Sequence, residues 1–335
     1  MSTLNLGSLG AVMTSDKSVP MISEMDQNYE EWMSSLPAEL WEVPITSLAI
    51  PGSHDAMSYC LDITSPLVGS ESDAFRLLDG LFYCVTRPAI FRWTTTQDKC
   101  IVDQLSMGIR YFDFRIAHKP NDPPDTLYFT HIIYTYVTVL AALSEVVEWL
   151  ESHPKEVVIL ACRHFEGLSE KLHETFISSL KTLFGPKLCP CKEATVTLRS
   201  LWASGHQVLL SYDSQCAARH PELWPAIPYL WANKPSAEEL ESYLDWQKQL
   251  GRPEGLFVAG LNLTASRAHI ALHPGQSLRT LTKQNWDSLE SWLGKQTPGP
   301  HPQGLNIIAG DFVGPLPIGP LVIALNKKLL RQKPD

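Results

Sequence analysis

Eight short β-prone apolar runs, separated by longer stretches of helical periodicity, constrain this chain more than any other feature. The runs are ITSLAI (45–50), IRYFDFRI (109–116), LYFTH (127–131), VVILAC (157–162), QVLLSY (207–212), IPYLW (227–231), GLFVAGLN (255–262) and LNIIAGDF (305–312). Near-continuous apolar runs are the mark of strands buried on both faces, as in parallel sheets covered by helices. Helical stretches fall near 138–152, 168–184, 236–250, 283–297 and 321–331. One carries its own start signal, because Ser236 can cap a helix whose Glu239 stands three residues later. This alternation predicts an α/β fold, a distorted TIM-type (β/α) barrel in a single domain; an open doubly wound sheet gives a similar pattern. A chain of 335 residues fits one barrel of roughly 250 residues plus insertions.

Distortion is expected at two places. The step from Arg115 to Leu127 is too short for a crossover helix, and 61–108 is an oversized insertion. Residues 1–28 are weakly patterned and rich in Ser, Gly and Met, which predicts a flexible N-terminal tail ahead of a barrel over 29–335.

The net charge of −9, with no block of Lys or Arg, argues against nucleic acid as a partner, so any phosphate recognition must be local. Seven cysteines without C-x-x-C spacing read as reduced thiols. No basic-then-apolar leader, no apolar run of about 18 residues and no lipidation box is visible, so a cytoplasmic location is expected. On that reading the sequon at Asn262-Leu263-Thr264 is a coincidence inside a strand. Nothing in the sequence sets an oligomeric state.

Barrel enzymes place their chemistry at the C-terminal ends of the strands. Here those ends offer His54 with Asp55, Asp113 with Arg115, His131, Arg163 with His164, Tyr212 with Asp213, Trp231 with Asn233, Asn262, and Asp311. Side chains two apart on a strand share a face, so Asp113 and Arg115 point the same way while Phe112 and Phe114 point outward. A structural ion pair closing the barrel top would look the same. Asp55, next to His54 in sequence, is badly placed to orient that histidine; Asp311, on the strand that neighbours the first in a closed barrel, is better placed, leaving Asp55 for His131. His54, Asp55, Asp113 and His131 also suit a divalent ion, but Arg115 puts a fixed positive charge where the cation would sit. The constellation therefore suits an anion held without a metal or other cofactor.

The segments AIPGSHD, RYFDFR, LYFTH, VVILACR and NIIAGDF, in this order, resemble the X-domain family of phosphatidylinositol-specific phospholipases C, and within it the short vertebrate PI-PLC X domain-containing proteins. The resemblance spans about residues 30–331. It implies a distorted TIM barrel in which His54 is general base and His131 general acid, with Asp311 and Asp55 as their partners and Arg115 stabilising charge on the phosphate. In the calcium-dependent branch, acidic residues occupy the positions of both Asp113 and Arg115; metal-independent bacterial members have Arg at the second, the pattern found here. No pleckstrin, EF-hand or C2 sequence accompanies the barrel, so a stand-alone catalytic domain is expected.

The resemblance implies a phosphoinositide lipid substrate and transient contact with a membrane surface. Arg163, Trp231, Tyr212 and Asn233 are the candidate substrate-binding residues, although Ser211-Tyr212-Asp213 lacks the ring-binding Arg of bacterial members. Segment 76–93, with Phe91 and Trp93, either meets the lipid or packs beneath the barrel. Two alternatives stand beside this reading: a lipid-headgroup binding module with little turnover, and a metal-dependent glycerophosphodiester phosphodiesterase.

Overall fold

A computed structural model describes residues 28–191, 195–273 and 275–331. Apart from Asn28, the expected N-terminal tail lies outside the described residues.

The strands are β1 (Ile50–Ser53), β2 (Tyr111–His118), β3 (Leu127–His131), β4 (Ile133–Thr138), β5 (Val158–Glu166), β6 (Val208–Tyr212), β7 (Tyr229–Leu230), β8 (Val258–Leu261) and β9 (Ile307–Gly310). The helices are α1 (Trp32–Ser35), α2 (Asp73–Leu81), α3 (Tyr83–Thr94), α4 (Ile101–Ser106), α5 (Val139–Ser152), α6 (Glu170–Phe184), α7 (Leu198–Ser204), α8 (Ala237–Leu250), α9 (Arg267–Leu272), α10 (Leu278–Lys295) and α11 (Ile318–Leu325). Parallel pairing runs β6-β5-β2-β1-β9-β8-β7. No strand ladder joins β6 to β7 among the described residues; a single parallel bridge from Ser211 to Trp224 stands there instead. The result is the distorted barrel, with its seam between β6 and β7.

Three strand expectations are corrected. LYFTH is not a parallel barrel strand: β3 runs antiparallel to the end of β2 and forms a hairpin with β4, which is why no crossover helix is needed after Arg115. Residues 45–47 form a 3-10 turn, and the first strand begins later, at Ile50, in register with Ile307. IPYLW contributes only two strand residues, because it borders the seam and pairs on one side alone.

Alternation along each strand separates two apolar layers. Phe112, Phe114, Leu160, Leu210 and Ile308 face outward against Val146 of α5, Ile177 and Leu180 of α6 and Leu289 of α10. Tyr111, Ile159, Leu209, Val258 and Ile307 fill the barrel interior. Inside, Gly52 makes room for a ring: a Cβ there would meet Tyr111 Cδ1 at 2.8 Å. Gly260 does the same for Tyr229, whose Cε1 would lie 2.5 Å from an added Cβ. The helices are closed by local chemistry, as Ser236 shows by accepting from Glu239 N while its hydroxyl meets the Glu239 carboxylate at 3.1 Å. At the end of the barrel away from the strand C-termini, fully buried Arg110 bonds Glu156 at 2.8 Å and the Glu30 carbonyl at 2.7 Å, clasping the 3-10 turn Tyr29–Glu31.

The insertion holds α2, α3 and α4 together with an extended strap at 95–98. Trp93 is buried and lies edge-on to His269 at 5.8 Å, and Phe91 packs against the cluster of Leu61, Leu67 and Ile133. Trp93 is therefore turned into the protein, and Phe91 is half-buried. Leu77, Leu81, Phe82 and Val85 face solvent, at 56–71% exposure. None of the seven cysteines is in a disulfide. Among the described residues no helix is long and apolar enough to cross a membrane.

Candidate active site

The same inward parity that packs the interior delivers polar groups to its open end. Continuing each inward row by two residues leads from Gly52 to His54, from Tyr111 to Asp113 and Arg115, from Ala161 to Arg163, from Gly260 to Asn262 and from Ala309 to Asp311. His131 arrives from β3, whose hairpin flanks β2 above the end of β1. The residues that follow His54, His131, Arg163 and Asp311 all have left-handed backbones: Asp55 (φ 42°), Ile132 (69°), His164 (51°) and Phe312 (53°). Such conformations cost about 1–3 kcal/mol each outside glycine, and they turn the chain sharply just beyond the functional side chain.

His54 Nδ1 lies 2.8 Å from Asp311 Oδ1, and Arg115 Nη2 lies 2.7 Å from His54 Nε2. A guanidinium only donates, so Nε2 accepts here and the Nδ1 proton points to Asp311: the neutral tautomer a base requires. Arg115 Nε stands 3.7 Å from both Asp55 Oδ2 and Asp113 Oδ2, and Arg163 Nε 3.7 Å from Asp113 Oδ1. His131 Nδ1 donates to the Thr94 carbonyl at 2.6 Å and sits 3.2 Å from Asp55 Oδ2. The rings of His54 and His131 are 6.4 Å apart. Buried atoms without a hydrogen-bond partner gather here: Asp55 Oδ2, Asp113 Oδ1, Asp311 Oδ2, Arg115 Nε and Arg163 Nε. Unsatisfied charge of this density marks a place that a ligand completes.

The electrostatics follow from burial opposed by the two cations. Burial pushes Asp55 up to about 7, against the pull of Arg115 and His54. Asp311 is raised for the same reason, with His54 opposing. For Asp113 burial also acts upward, but Arg115, His54 and Arg163 outweigh it and hold the carboxyl below its ordinary value. Burial and then Arg115 depress His131 to about 3. These shifts favour a neutral His131 and put the titration of Asp55 near neutral pH. Among the described residues no group of three or more His, Cys, Asp or Glu side chains is arranged to hold a metal ion.

The structure brings together His54, Asp55, Asp113, Arg115, His131, Arg163 and Asp311. Tyr212 is elsewhere. Its ring faces outward between Phe165 and Phe176, and its hydroxyl lies 2.7 Å from His173 Nδ1, because Leu209 and Ser211 hold the inward positions of β6. Trp231 and Asn233 lie on the exposed loop after β7, with the indole bonded to Thr264 at 3.0 Å and Asn233 in a left-handed turn of φ 53°. Asn262 is buried and accepts from the Tyr229 hydroxyl at 2.9 Å, so the sequon is closed to glycosylation in the folded chain.

Sequence reasoning missed Tyr229, whose ring is 6.1 Å from His54 and lies under the Arg163 guanidinium at 5.3 Å. Its place within the run IPYLW, two residues before Trp231, was the available signal. It also missed Thr94, Thr96 and Gln97, which reach the site from the insertion and carry no local signature.

No family model matches the chain. The fold is that of phosphatidylinositol-specific phospholipase C from Listeria monocytogenes, which aligns with a TM-score of 0.62 over 89% of this chain and 99% of that one, at 20% identity. In sequence, the chain is 48% identical to PI-PLC X domain-containing protein 1 of Homo sapiens over 90% of its own length and 93% of the relative's. The Danio rerio protein of that name is 46% identical over 87% and 94%. The chain belongs to the family of PI-PLC X domain-containing proteins.

Proposed function

We propose that residues 29–335 form a catalytic barrel that cleaves phosphatidylinositol-like lipids to diacylglycerol and inositol phosphate without a metal. The observation that carries this reading is a pair of histidines 6.4 Å apart, with a guanidinium bonded to one and a carboxylate beside each. His54 Nε2 takes the proton of the inositol 2-hydroxyl, and that oxygen attacks phosphorus in line. The bond from phosphorus to the diacylglycerol oxygen breaks, and His131 Nε2–H supplies its proton, leaving a cyclic phosphodiester. Water then opens the cycle with the two histidines in exchanged roles.

Arg115 has two successive partners. Before substrate it bonds His54 Nε2; an entering phosphate draws the guanidinium to its own oxygens and frees the lone pair for the hydroxyl. Neutralising Arg115 also removes one of the forces that depress His131, so phosphate binding raises the affinity of His131 for its proton. Acid and base are thus readied by the same event. The names and fold of the relatives support this reading, as does the guanidinium that fills the space a cation would need.

Purified protein given phosphatidylinositol vesicles and excess EDTA should release diacylglycerol at the same rate as without chelator. Activity that EDTA abolishes and a divalent ion restores would instead assign a metal-dependent phosphodiesterase. Saturable headgroup binding without release would assign a binding module.

Membrane contact is proposed through Leu77 and Leu81 of α2, Phe82, and Val85 of α3, in place of Phe91 and Trp93. At roughly 1.5 kcal/mol or more for each large side chain fully buried in an apolar phase, four such residues support strong partitioning. Replacing all four by Ser should weaken vesicle binding more than about 100-fold while leaving hydrolysis of a monomeric short-chain substrate unchanged. Unaltered vesicle partitioning would remove this surface from the account.

A further inference from the structure

We propose that Gln97, in the strap between α3 and α4, is a positioning residue that sets the His54–Asp311 pair. The proposal rests on the reading of His54 as the base and deepens it. Gln97 is fully buried, and both ends of its amide are used. Its Nε2 donates to the carbonyls of His54 and Gly310, each at 2.9 Å, and its Oε1 accepts from Val313 N at 3.1 Å. The preceding carbonyl, that of Thr96, accepts from Phe312 N at 2.7 Å. Asp311 is therefore bracketed, with the residue before it and the two after it all tied to Thr96 and Gln97. One of those two, Phe312, is held in a left-handed conformation that a phenylalanine does not favour.

This bracketing matters because the carboxylate has few supports of its own. Asp311 Oδ1 meets His54, and Oδ2 has no hydrogen-bond partner. Its place is set by its backbone, which is held to the His54 backbone by the bond from His54 N to the Gly310 carbonyl at 3.1 Å and by the Gln97 side chain, which bonds the carbonyls of both residues. The strap is the direct continuation of α3, whose last residue, Thr94, supplies the carbonyl that His131 Nδ1 bonds. A segment distant in sequence from either strand thereby reaches both histidines; Thr96 Oγ1 also donates to the His54 carbonyl at 3.1 Å, and Gln97 is the side chain that ties that carbonyl to the residues flanking Asp311.

A buried glutamine that only satisfied backbone groups would stabilise the fold without acting on catalysis, so the test separates the two roles. Gln97→Met keeps the length and removes all three bonds; Gln97→Glu keeps the acceptor for Val313 and removes both donors. The primary readout is the proton resonance of His54 Nδ1–H in the hydrogen bond to Asp311, assigned by its loss in His54→Ala. It should shift or vanish by exchange in both Gln97 variants. On phosphatidylinositol in mixed micelles kcat should fall roughly 10- to 100-fold, the scale of a small misplacement of a catalytic group. KM should stay within about threefold, and in an Asp311→Asn background Gln97→Met should change kcat by less than about threefold, since the pair it positions is already broken.

An unmoved resonance, or equal losses of kcat in the two backgrounds, overturns the proposal in favour of a packing role. Should Gln97→Met fail to fold, the resonance in Gln97→Glu decides. Wild-type protein that leaves phosphatidylinositol intact would sink the enzymatic reading, whereas active wild type with an unmoved resonance would sink only the role of Gln97.

Discussion

His54→Ala should lower diacylglycerol release from phosphatidylinositol by roughly 10³- to 10⁴-fold, and His131→Ala by a comparable factor, because each removes a positioned proton transfer. The two losses differ in kind. Replacing the diacylglycerol by a leaving group that departs without a proton, such as a nitrophenolate, should restore most of the rate to His131→Ala and none to His54→Ala. Equal recovery of both variants would reverse or dissolve the assignment. The pH profile carries the same information. His131 is held down to about 3 before substrate binds, and Asp55, raised to about 7, keeps the proton that His131 must acquire. The protonated pair is the active form, so kcat/KM should fall as pH rises through about 7. An activity that climbed through that range would contradict a proton stored at Asp55.

Arg115→Lys should cost roughly 10²- to 10³-fold in kcat, the scale of one lost donor to a developing oxyanion. An ammonium keeps the charge but not the fork, and the observed Arg115 uses the fork: Nη2 bonds His54 while Nε lies 3.7 Å from both Asp55 and Asp113. A lysine at this position cannot hold the carboxylates and give its remaining donors to a phosphate in the same geometry. The loss should appear in kcat with KM little altered, since Arg163 remains beside Asp113 to attract the phosphate. Wild-type turnover by Arg115→Lys would mean that charge alone suffices.

Much of the site was legible because it is periodic. Once 109–116 is read as a strand, the spacing of Tyr111, Asp113 and Arg115 places all three on one face, and the structure puts them in one inward row. Tyr212 shows where that logic stops. VLLSY is apolar throughout its first half because β6 is buried on both sides, so no alternation told which face Tyr212 would take, and it took the outer one. LYFTH failed differently: a five-residue strand carries no mark of direction, and only its register against Ile116 to His118 made it antiparallel. In segment 76–93 the aromatics drew attention, but α3 turned Trp93 into the protein and left Val85 outside, as α2 left Leu77 and Leu81.

The sequence by itself determined the alternating α/β architecture, the inward rows and the residue types at the strand ends, because these depend on periodicities of two and 3.6 that act over a few neighbouring residues. Tertiary structure alone decided the seam between β6 and β7, the direction of the hairpin, and the reach of Thr94 at the end of α3 to His131 and of Gln97 in the strap to His54. Those features are contacts between residues tens to hundreds of positions apart. They are chosen by which arrangement satisfies the buried carbonyls and amides of the whole barrel at once, and no local pattern encodes that.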